Sequence, residues 1–295
     1  MTSPTTEPRA RGAEPGVRGG MIGVRDGLAT LGPDALALRT ALDMRFETWG
    51  HRAGAHSVAY PPLLAVDDLA GVDYFANFPH LGLLASGLAP EAVEAGYPGE
   101  GPLDAVPAGR LGPARHVLPP AACYSAYFDL AGERLDGPQR ITTIASCFRR
   151  EPHLDGLRRL YGFSMREIVC VGGHDDVVDH LARLKHVVLE FAAELGLPLT
   201  VETAGDPFFD PDGARAVSQR LFPVKEEFVF DGTPAVASVN FHRNFFGERC
   251  DIRAADGEPA YTGCVAFGLE RWISALGDHF GLDPAELTER IVDVP

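Results

Sequence analysis

The sequence predicts an α+β fold in which a mostly antiparallel sheet is flanked by helices. Residues 141–171 contain two runs of strand type separated by a short loop, as in an antiparallel hairpin. Residues 227–230 and 235–241 form a second pair of strands, and residues 261–268 form a further strand that leads directly into a helix. Long helical stretches come before and after these strands. This order of elements carries the prediction.

The composition is that of an ordinary globular protein. The chain has 295 residues, of which 45% are hydrophobic and 23% charged, so it can bury a substantial core in one domain over residues 34–295. Residues 1–33 are rich in Gly, Pro, Arg and Glu, and we expect them to form a disordered tail. No stretch resembles a signal peptide or is long enough to span a membrane. The five cysteines are widely spaced, which favours a cytoplasmic protein over a secreted disulfide framework.

Charge and missing signatures exclude several classes of function. The net charge of −15 argues against nucleic acid as the main partner, because phosphate binding needs a basic surface. The only lysines are Lys185 and Lys225, and neither follows a glycine, so there is no P-loop. The chain also lacks Gly-x-Gly-x-x-Gly, His-Glu-x-x-His, Cys-x-x-Cys and Gly-x-Ser-x-Gly.

The helices are predicted from the spacing of apolar residues. Residues 34–50 form the first helix, with Asp34 as a possible cap, and residues 56–60 form a short strand that ends at two prolines. The apolar stripe of this helix is Ala35, Leu38, Leu42, Phe46 and Trp49. Residues 71–122 are predicted to be mostly loop. A second long helix, capped by Asp175 or Asp176, extends to Gly196.

The hairpin of residues 141–171 concentrates the side chains suited to chemistry. Since side chains alternate along a strand, Phe163 and Glu167 point to the same face, roughly 13 Å apart at about 3.3 Å per residue. Arg149 would project over that face, and a guanidinium binds phosphate through two parallel hydrogen bonds. The distance of roughly 13 Å between Phe163 and Glu167 is about the span of a nucleotide that carries a small acyl group. The alternative is a solvated hairpin tip that is rich in arginine: Arg149, Arg150, Arg158 and Arg159.

The hairpin resembles motif 2 of the class II aminoacyl-tRNA synthetases, a Phe-Arg-x-Glu followed by a loop and a His-or-Arg-x-x-x-Phe. The matching positions are Phe148, Arg149, Glu151, Arg159 and Phe163. The resemblance implies that Arg149 binds the α-phosphate of ATP, that Arg159 binds the γ-phosphate and that Phe163 stacks on adenine. It also assigns Glu151 to the nucleotide site.

Two further segments resemble motifs of the same family. Residues 262–272 resemble motif 3, in which Arg271 would bind the γ-phosphate and Gly268 would let the nucleotide lie close to the backbone. The alternative for this segment is a core strand kinked by glycine. Residues 35–62 resemble motif 1, a helix and strand that form a homodimer interface in that family.

Cys123, Glu167 and Cys264 resemble the zinc site of the methanogen-type seryl-tRNA synthetases and of their shortened relatives, the amino acid:[carrier protein] ligases. Cys123 stands where other seryl-type enzymes carry the glutamate of Pro-Thr-x-Glu. Two thiolates and a carboxylate leave one tetrahedral position of zinc open. The resemblance implies that the α-amino group of the substrate takes this position, which would reject N-blocked acids. The remaining cysteines are expected to pack in the core: Cys147, Cys170 and Cys250.

Among these relatives, an amino acid:[carrier protein] ligase is favoured. The resemblance covers roughly residues 35–280, which leaves no room for the tRNA-binding N-terminal domain of a seryl synthetase, so no tRNA partner is expected. It implies an ATP-dependent enzyme that converts a small amino acid, glycine or alanine, to an aminoacyl-adenylate. The aminoacyl group would then pass to the phosphopantetheine thiol of a carrier protein. The alternatives are an aminoacyl-tRNA synthetase that acts with a separate RNA-binding partner, and a non-catalytic paralogue that serves as a regulatory binding protein.

Catalysis would consist of positioning and charge stabilisation. Arg149, Arg159 and Arg271, together with magnesium, would neutralise the triphosphate. The magnesium ligands stay open, and the candidates are Glu226, Glu227 and Glu248.

The carrier protein is predicted to dock on residues 206–222, a loop and short helix between the two motifs. Arg215 and Arg220 would provide positive charge on an acidic protein, beside the apolar Phe208, Phe209 and Leu221. The alternative is an amphipathic surface helix whose arginines pair with neighbouring acids.

Overall fold

The structure is a computed structural model and describes residues 22–96 and 105–294, which contain ten α-helices and twelve strands. The helices are α1 (Pro33–Arg52), α2 (Val66–Gly71), α3 (Tyr74–Asn77), α4 (Pro90–Glu94), α5 (Cys123–Asp129), α6 (His174–Leu195), α7 (Ala214–Leu221), α8 (Phe245–Arg249), α9 (Leu269–Phe280) and α10 (Pro284–Asp293). The strands are β1 (Ile22–Arg25), β2 (Leu28–Leu31), β3 (His56–Ser57), β4 (Leu64–Ala65), β5 (Leu84–Ala85), β6 (His116–Val117), β7 (Gln139–Phe148), β8 (Gly162–Gly172), β9 (Leu199–Ala204), β10 (Lys225–Phe230), β11 (Ala237–Arg243) and β12 (Tyr261–Gly268). None of these helices combines the length and the apolar character needed to cross a membrane.

A nine-stranded sheet forms the centre of the protein. Its strand order is β1-β2-β8-β12-β11-β10-β9, and β7 pairs with β8 and with β3. All of its pairings are antiparallel except β2 with β8 and β3 with β7. The predicted α+β fold with a mostly antiparallel sheet is therefore confirmed.

The two faces of the sheet have different roles because side chains alternate along each strand. Ile168, Val265 and Phe267 point to the face covered by α1, α6 and α9 and join the main apolar core. There Phe267 stacks on Phe46 with a ring-centroid distance of 4.3 Å. Val169 and Cys264 point to the other face and belong to a second cluster together with residues of α5 and α8. That second face carries the candidate site.

The prediction of a disordered tail over residues 1–33 is wrong for residues 22–31, which form the hairpin β1–β2; residues 1–21 lie outside the described residues. Asp26 and Gly27 both have left-handed backbone angles, φ 52° and φ 74°, as a two-residue hairpin turn requires. The Gly27 carbonyl accepts the N–H of Tyr161 at 2.8 Å, so the hairpin is attached to the end of the loop between β7 and β8. The prediction of disorder was based on composition alone and therefore overlooked this Asp-Gly turn.

Other departures are local. Gly32, not Asp34, occupies the N-cap of α1, and Gly173 occupies the N-cap of α6. Asp176 acts from the first turn of α6, where its carboxylate accepts the Gly173 N–H at 3.3 Å. The predicted loop of residues 71–122 contributes β5 and β6 to a three-stranded sheet with β4 and also contains α3 and α4; its residues 97–104 lie outside the described residues.

Candidate active site

A cavity of about 390 Å³ lies on the sheet face opposite α1, α6 and α9. We name three parts of it along β12. The Phe163 end contains Arg149, Phe163, Gly268 and Arg271; the cysteine centre contains Cys123, Glu167 and Cys264; and the α7 end contains Ser218, Phe222 and Arg243. The face of β8 that carries Phe163 and Glu167, as predicted, therefore lines one continuous cavity.

The cysteine centre brings together three residues that are far apart in the sequence. Cys123 begins α5, Glu167 lies in β8 and Cys264 lies in β12. One ligand atom from each lies within 4.8 Å of the others, and all three side chains are buried. Register explains the grouping, because Glu167 is the partner of Ala266 and Cys264 that of Val169. The other cysteines do not belong to the group: Cys147 and Cys170 are buried, and Cys250 is half-buried.

The cysteine centre has an excess of hydrogen-bond acceptors. Glu167 Oε1 accepts the N–H of Ala122 at 2.8 Å and that of Cys123 at 3.1 Å, whereas Oε2 is buried and has no partner among the described residues. The hydrogen bond with Cys123, and then burial, raise the pKa of Cys264 well above its ordinary value. For Cys123, the hydrogen bond with Cys264 lowers the pKa, but burial and the Glu167 carboxylate outweigh it and the pKa is raised. Two cysteine sulfurs and one carboxylate, all buried, form a set of metal ligands that fits zinc.

The Phe163 end has an excess of donors. Arg149 Nε donates to the Pro120 carbonyl at 3.0 Å, and its guanidinium carbon lies 5.3 Å from the centroid of the Phe163 ring. Arg271 donates to the carbonyls of Arg158 at 2.9 Å and Ala235 at 3.0 Å. Burial, and then the positive charge of Arg149, lower the pKa of Arg271 to about 10. Both arginines rest on main-chain carbonyls, so they can accept an anionic ligand without first breaking an ion pair.

Arg159 and Glu151 lie apart from the cavity lining. Arg159 Nη1 and Glu151 Oε2 form an ion pair at 2.7 Å on the loop that joins β7 and β8. Gly268 does line the cavity, but a Cβ atom added there would meet Arg271 Cδ at 3.6 Å, which is ordinary contact. Packing within the protein therefore does not require glycine at this position.

Of the three magnesium candidates, only Glu227 faces the cavity, where it pairs with Lys225 at 2.9 Å. Glu226 points to the other face of β10, where both of its oxygens accept from Lys185 at 2.7 Å. Glu248 is exposed on α8 and accepts from Asn244 at 2.8 Å.

Sequence reasoning missed a further carboxylate in the cavity, Glu270, which precedes Arg271 in the motif 3 segment. Its Oε2 accepts the Ser164 N–H at 2.8 Å, and burial raises the pKa of Glu270. Its place beside Arg271 in the motif was the signal that could have found it.

A partly buried polar network joins α7 to the cavity wall and was also missed. Asp206 accepts hydrogen bonds from Gln219 at 3.0 Å and from Lys225 at 3.3 Å. Burial alone would raise the pKa of Asp206, but Lys225 and Gln219 outweigh burial and lower it. Asp206 belongs to an irregular segment, where no periodicity indicates the direction of a side chain.

Polar side chains of β11 were missed because the register of β11 against β12 cannot be determined from sequence. Asn240, the partner of Cys264, donates from Nδ2 to the Cys264 sulfur at 3.5 Å. His242 Nδ1 lies 3.2 Å from the Tyr127 hydroxyl, and burial lowers the pKa of His242 to about 4. The histidine is therefore neutral at physiological pH.

The arginines of residues 206–222 are paired with acids, which was the alternative considered for this segment. Arg215 is turned into the cavity wall, where it pairs with Asp73 at 3.7 Å and lies 4.0 Å from the Phe245 ring. Arg220 pairs with Asp212 at 3.6 Å. The exposed apolar side chains of the segment are Phe209, Leu221 and Phe222.

The sheet and the residues along it define a class of protein. Residues 119–280 match the tRNA synthetase class II core domain (G, H, P, S and T). The crystal structure of M. kandleri SerRS in complex with A. aeolicus tRNASec superposes with a TM-score of 0.75 over 90% of this chain and 57% of that chain, at 21% identity. The chain thus has the class II synthetase core fold, which implies the use of ATP.

Sequence relatives identify the family within that class. Amino acid--[acyl-carrier-protein] ligase 1 of Bradyrhizobium diazoefficiens is 36% identical over 287 residues, which cover 90% of this chain and 86% of the relative. Ligase 2 of the same organism is 41% identical over 186 residues, 59% of this chain and 54% of the relative. The chain belongs to the amino acid--[acyl-carrier-protein] ligase family and is a ligase. It spans about half the length of the second relative and of the solved synthetase.

Proposed function

We propose that this enzyme activates glycine or alanine with ATP to give an aminoacyl-adenylate, and then transfers the aminoacyl group to the phosphopantetheine thiol of a carrier protein. The observation that carries the proposal is the continuous cavity, which joins the Phe163 end, the cysteine centre and the α7 end. A nucleotide, an amino acid and an acceptor arm could meet there at one point. The names of both Bradyrhizobium relatives support a carrier protein as acceptor.

In the first step, Arg149 and Arg271 would hold the phosphates of ATP over the sheet while Phe163 stacks on the adenine. A carboxylate oxygen of the amino acid attacks the α-phosphorus, a new P–O bond forms and pyrophosphate leaves. No general base is needed, since the nucleophile is already ionised. The arginines stabilise the charge that develops in the transition state. Magnesium bound with the ATP would add positive charge, and Glu227 is our candidate ligand because it lines the cavity.

At the cysteine centre, Cys123, Glu167 and Cys264 would hold zinc, whose open position supplies a Lewis acid for a neutral amine. The buried Oε2 of Glu167, which has no partner in the part of the chain that the structure describes, supports this assignment, because a buried acceptor without a partner is costly. The N–H groups of Ala122 and Cys123 fix the other carboxylate oxygen and so orient Glu167 toward the two sulfur atoms. A substrate with an acylated amine would lack this anchor.

In the second step, the thiolate of the acceptor attacks the carbonyl carbon of the adenylate. The bond between the carbonyl carbon and the phosphate oxygen breaks, AMP leaves and a thioester forms. The nucleophile belongs to the partner, and the role of this chain is to hold the adenylate and to admit the arm. We retain residues 206–222 as the docking segment on the basis of Leu221 and Phe222, which are 68% and 60% exposed, rather than of Arg215.

Pyrophosphate exchange tests the first half of the proposal. We expect exchange that depends on glycine or alanine and is absent with their N-acetyl derivatives. Acceptor assays test the second half, and we expect labelled amino acid to appear on a phosphopantetheinylated carrier protein rather than on tRNA. Absence of exchange would refute activation, whereas efficient charging of tRNA in place of the carrier would refute the acceptor assignment alone.

We also propose a homodimer formed through residues 35–62. Leu36 and Met44 are exposed on α1, although the opposite side of this helix is fully buried in the core. Within the described residues, β3 pairs only with β7 and leaves its other edge open. Sedimentation should give twice the chain mass, and an active monomer would refute this assembly.

A further inference from the structure

Arg243 stands at the end of β11, at the α7 end of the cavity. The register between β11 and β12 shifts between Phe241 and Arg243, and the backbone of Arg243 is left-handed, with φ 55°. A residue that is not glycine rarely adopts this conformation, and such strained residues are concentrated at functional sites. Bulges of this kind re-aim a side chain beside a site.

The guanidinium of Arg243 has few protein contacts. Its Nη2 donates weakly to the Phe222 carbonyl at 3.4 Å, and its carbon lies 5.6 Å from the Phe222 ring. No carboxylate in residues 22–96 or 105–294 comes within 4.0 Å of it, whereas Arg215 and Arg249 nearby both pair with Asp73. In a protein of net charge −15, an arginine without an acidic partner at the mouth of the substrate cavity can bind an anion.

Distances along the sheet indicate which anion. Arg243 is the partner of Thr262, two residues from Cys264, which is about 7 Å at roughly 3.3 Å per residue. Gly268, at the Phe163 end, lies four residues from Cys264 in the opposite direction, or about 13 Å. A phosphate held by Arg149 and Arg271 at the Phe163 end would therefore lie on the opposite side of the cysteine centre from Arg243. An anion bound by Arg243 would then belong to the acceptor.

We propose that Arg243, supported by the exposed ring of Phe222, binds the phosphate of the acceptor's phosphopantetheine arm. This inference rests on the proposed function, because it takes the acceptor to be a phosphopantetheine thiol. The arm is an uncharged amide chain with a thiol at one end and a phosphate at the other. When the thiol reaches the aminoacyl carbonyl at the cysteine centre, the phosphate lies toward the α7 end, where Arg243 can form two parallel hydrogen bonds with it.

Free acceptors that differ only in the phosphate test the proposal. Enzyme with preformed adenylate is mixed with 4′-phosphopantetheine or with pantetheine, and the second-order rate constant of thioester formation is measured. We expect wild type to prefer the phosphorylated thiol by about tenfold, the effect of one charge-assisted contact. Arg243→Gln should abolish the preference, and Arg243→Lys should keep part of it. If the free thiols are poor acceptors, their relative inhibition of transfer to the holo-carrier measures the same preference.

Controls separate this inference from the function on which it rests. Pyrophosphate exchange is measured in the same variants, so that loss of activation is distinguished from loss of the phosphate preference. Arg253→Gln, which changes an exposed arginine outside the cavity, should retain both exchange and the phosphate preference. A wild type without preference, or an Arg243→Gln variant that retains it, would overturn the proposal. A defect with free thiols but not with the holo-carrier would overturn the assignment to a carrier-borne arm. Charging of tRNA with no thioester formed would instead refute the proposed function.

Discussion

The Phe163 end and the cysteine centre of the cavity are built in opposite ways. The cysteine centre is rich in acceptors, and two of its three residues lie on the central strands β8 and β12. The Phe163 end is rich in donors: Arg149 follows β7 at the start of a loop, and Arg271 lies in the first turn of α9. The cysteine centre therefore suits a cation, and the Phe163 end suits an anionic ligand. The sheet fixes two of the three residues that converge on one point, while a loop and a helix present the residues that must surround a larger ligand.

Removal of one acceptor from the centre should have the largest effect. Glu167→Gln can still accept the two N–H groups through its amide oxygen but loses the negative charge. We expect zinc affinity to fall by more than about 100-fold, because loss of an outer-shell partner alone lowers metal affinity by up to about 100-fold. Amino-acid-dependent exchange should fall with it. Metal analysis and exchange rates measure both effects.

The matched control is Cys147→Ala, which removes a buried thiol that is not part of the trio. It should keep one zinc per chain. Full zinc occupancy in Glu167→Gln, or activity that survives complete removal of metal, would show that the centre is not a metal site.

Removal of a donor from the Phe163 end comes next. Arg149→Ala should lower exchange by on the order of 10² or more without loss of zinc, because a charge-assisted contact in the transition state is removed. Arg150 is exposed and does not line the cavity, so Arg150→Ala should have far less effect. Equal losses in the two variants would contradict the assigned orientation of this strand end.

A smaller effect is expected when the support of the Phe163 end is disturbed. A Cβ atom at Gly27 would approach Leu154 Cδ2 and Tyr161 Cβ at 2.8 Å, and φ is 74°. Gly27→Ala should therefore displace β1–β2 from the loop that begins at Arg149, destabilise the fold by roughly 1–3 kcal/mol and raise the KM for ATP. Gly23→Ala in the same hairpin meets no atom within 4 Å and should change neither quantity. An unchanged KM for ATP in Gly27→Ala would mean that the hairpin does not position the loop.

The last prediction concerns stability rather than activity, on the helix-covered face outside the cavity. Burial, and then the charge of Arg140, lower the pKa of His180 to about 4. The unfolded chain would take up a proton near pH 6.5 that the folded chain excludes, so stability falls as pH falls from 6.5 to 4, by up to about 1.4 kcal/mol per pH unit from this residue. His180→Leu should remove this part of the slope in denaturant titrations. An unchanged slope in His180→Leu would contradict this assignment.

The sequence predicted the parts of the site that lie on regular strands. The period of two along β8 placed Phe163 and Glu167 on one face, and motif spacing singled out Arg149, Arg271 and Cys264, all of which line the cavity. Residues whose positions depend on tertiary context were missed, such as His242, because strand register is set by long-range packing. Asp206 and the hairpin of residues 22–31 were missed because turn chemistry and irregular backbone leave little periodic signal. The choice between the two alternatives for Arg215 stayed open because the sequence does not show which acid a helix arginine meets.

The long chain separation between Cys123, Glu167 and Cys264 has a thermodynamic consequence. The three ligands converge only after α5, β8 and β12 have assembled, so the unfolded chain contains no preformed site. A metal that binds only the folded state stabilises it by mass action, by about 2.7 kcal/mol when the free metal concentration is 100 times the dissociation constant. The melting temperature of the whole domain would thus depend on the zinc concentration around it, and the cysteine centre would serve as a clamp on the tertiary fold as well as a substrate site.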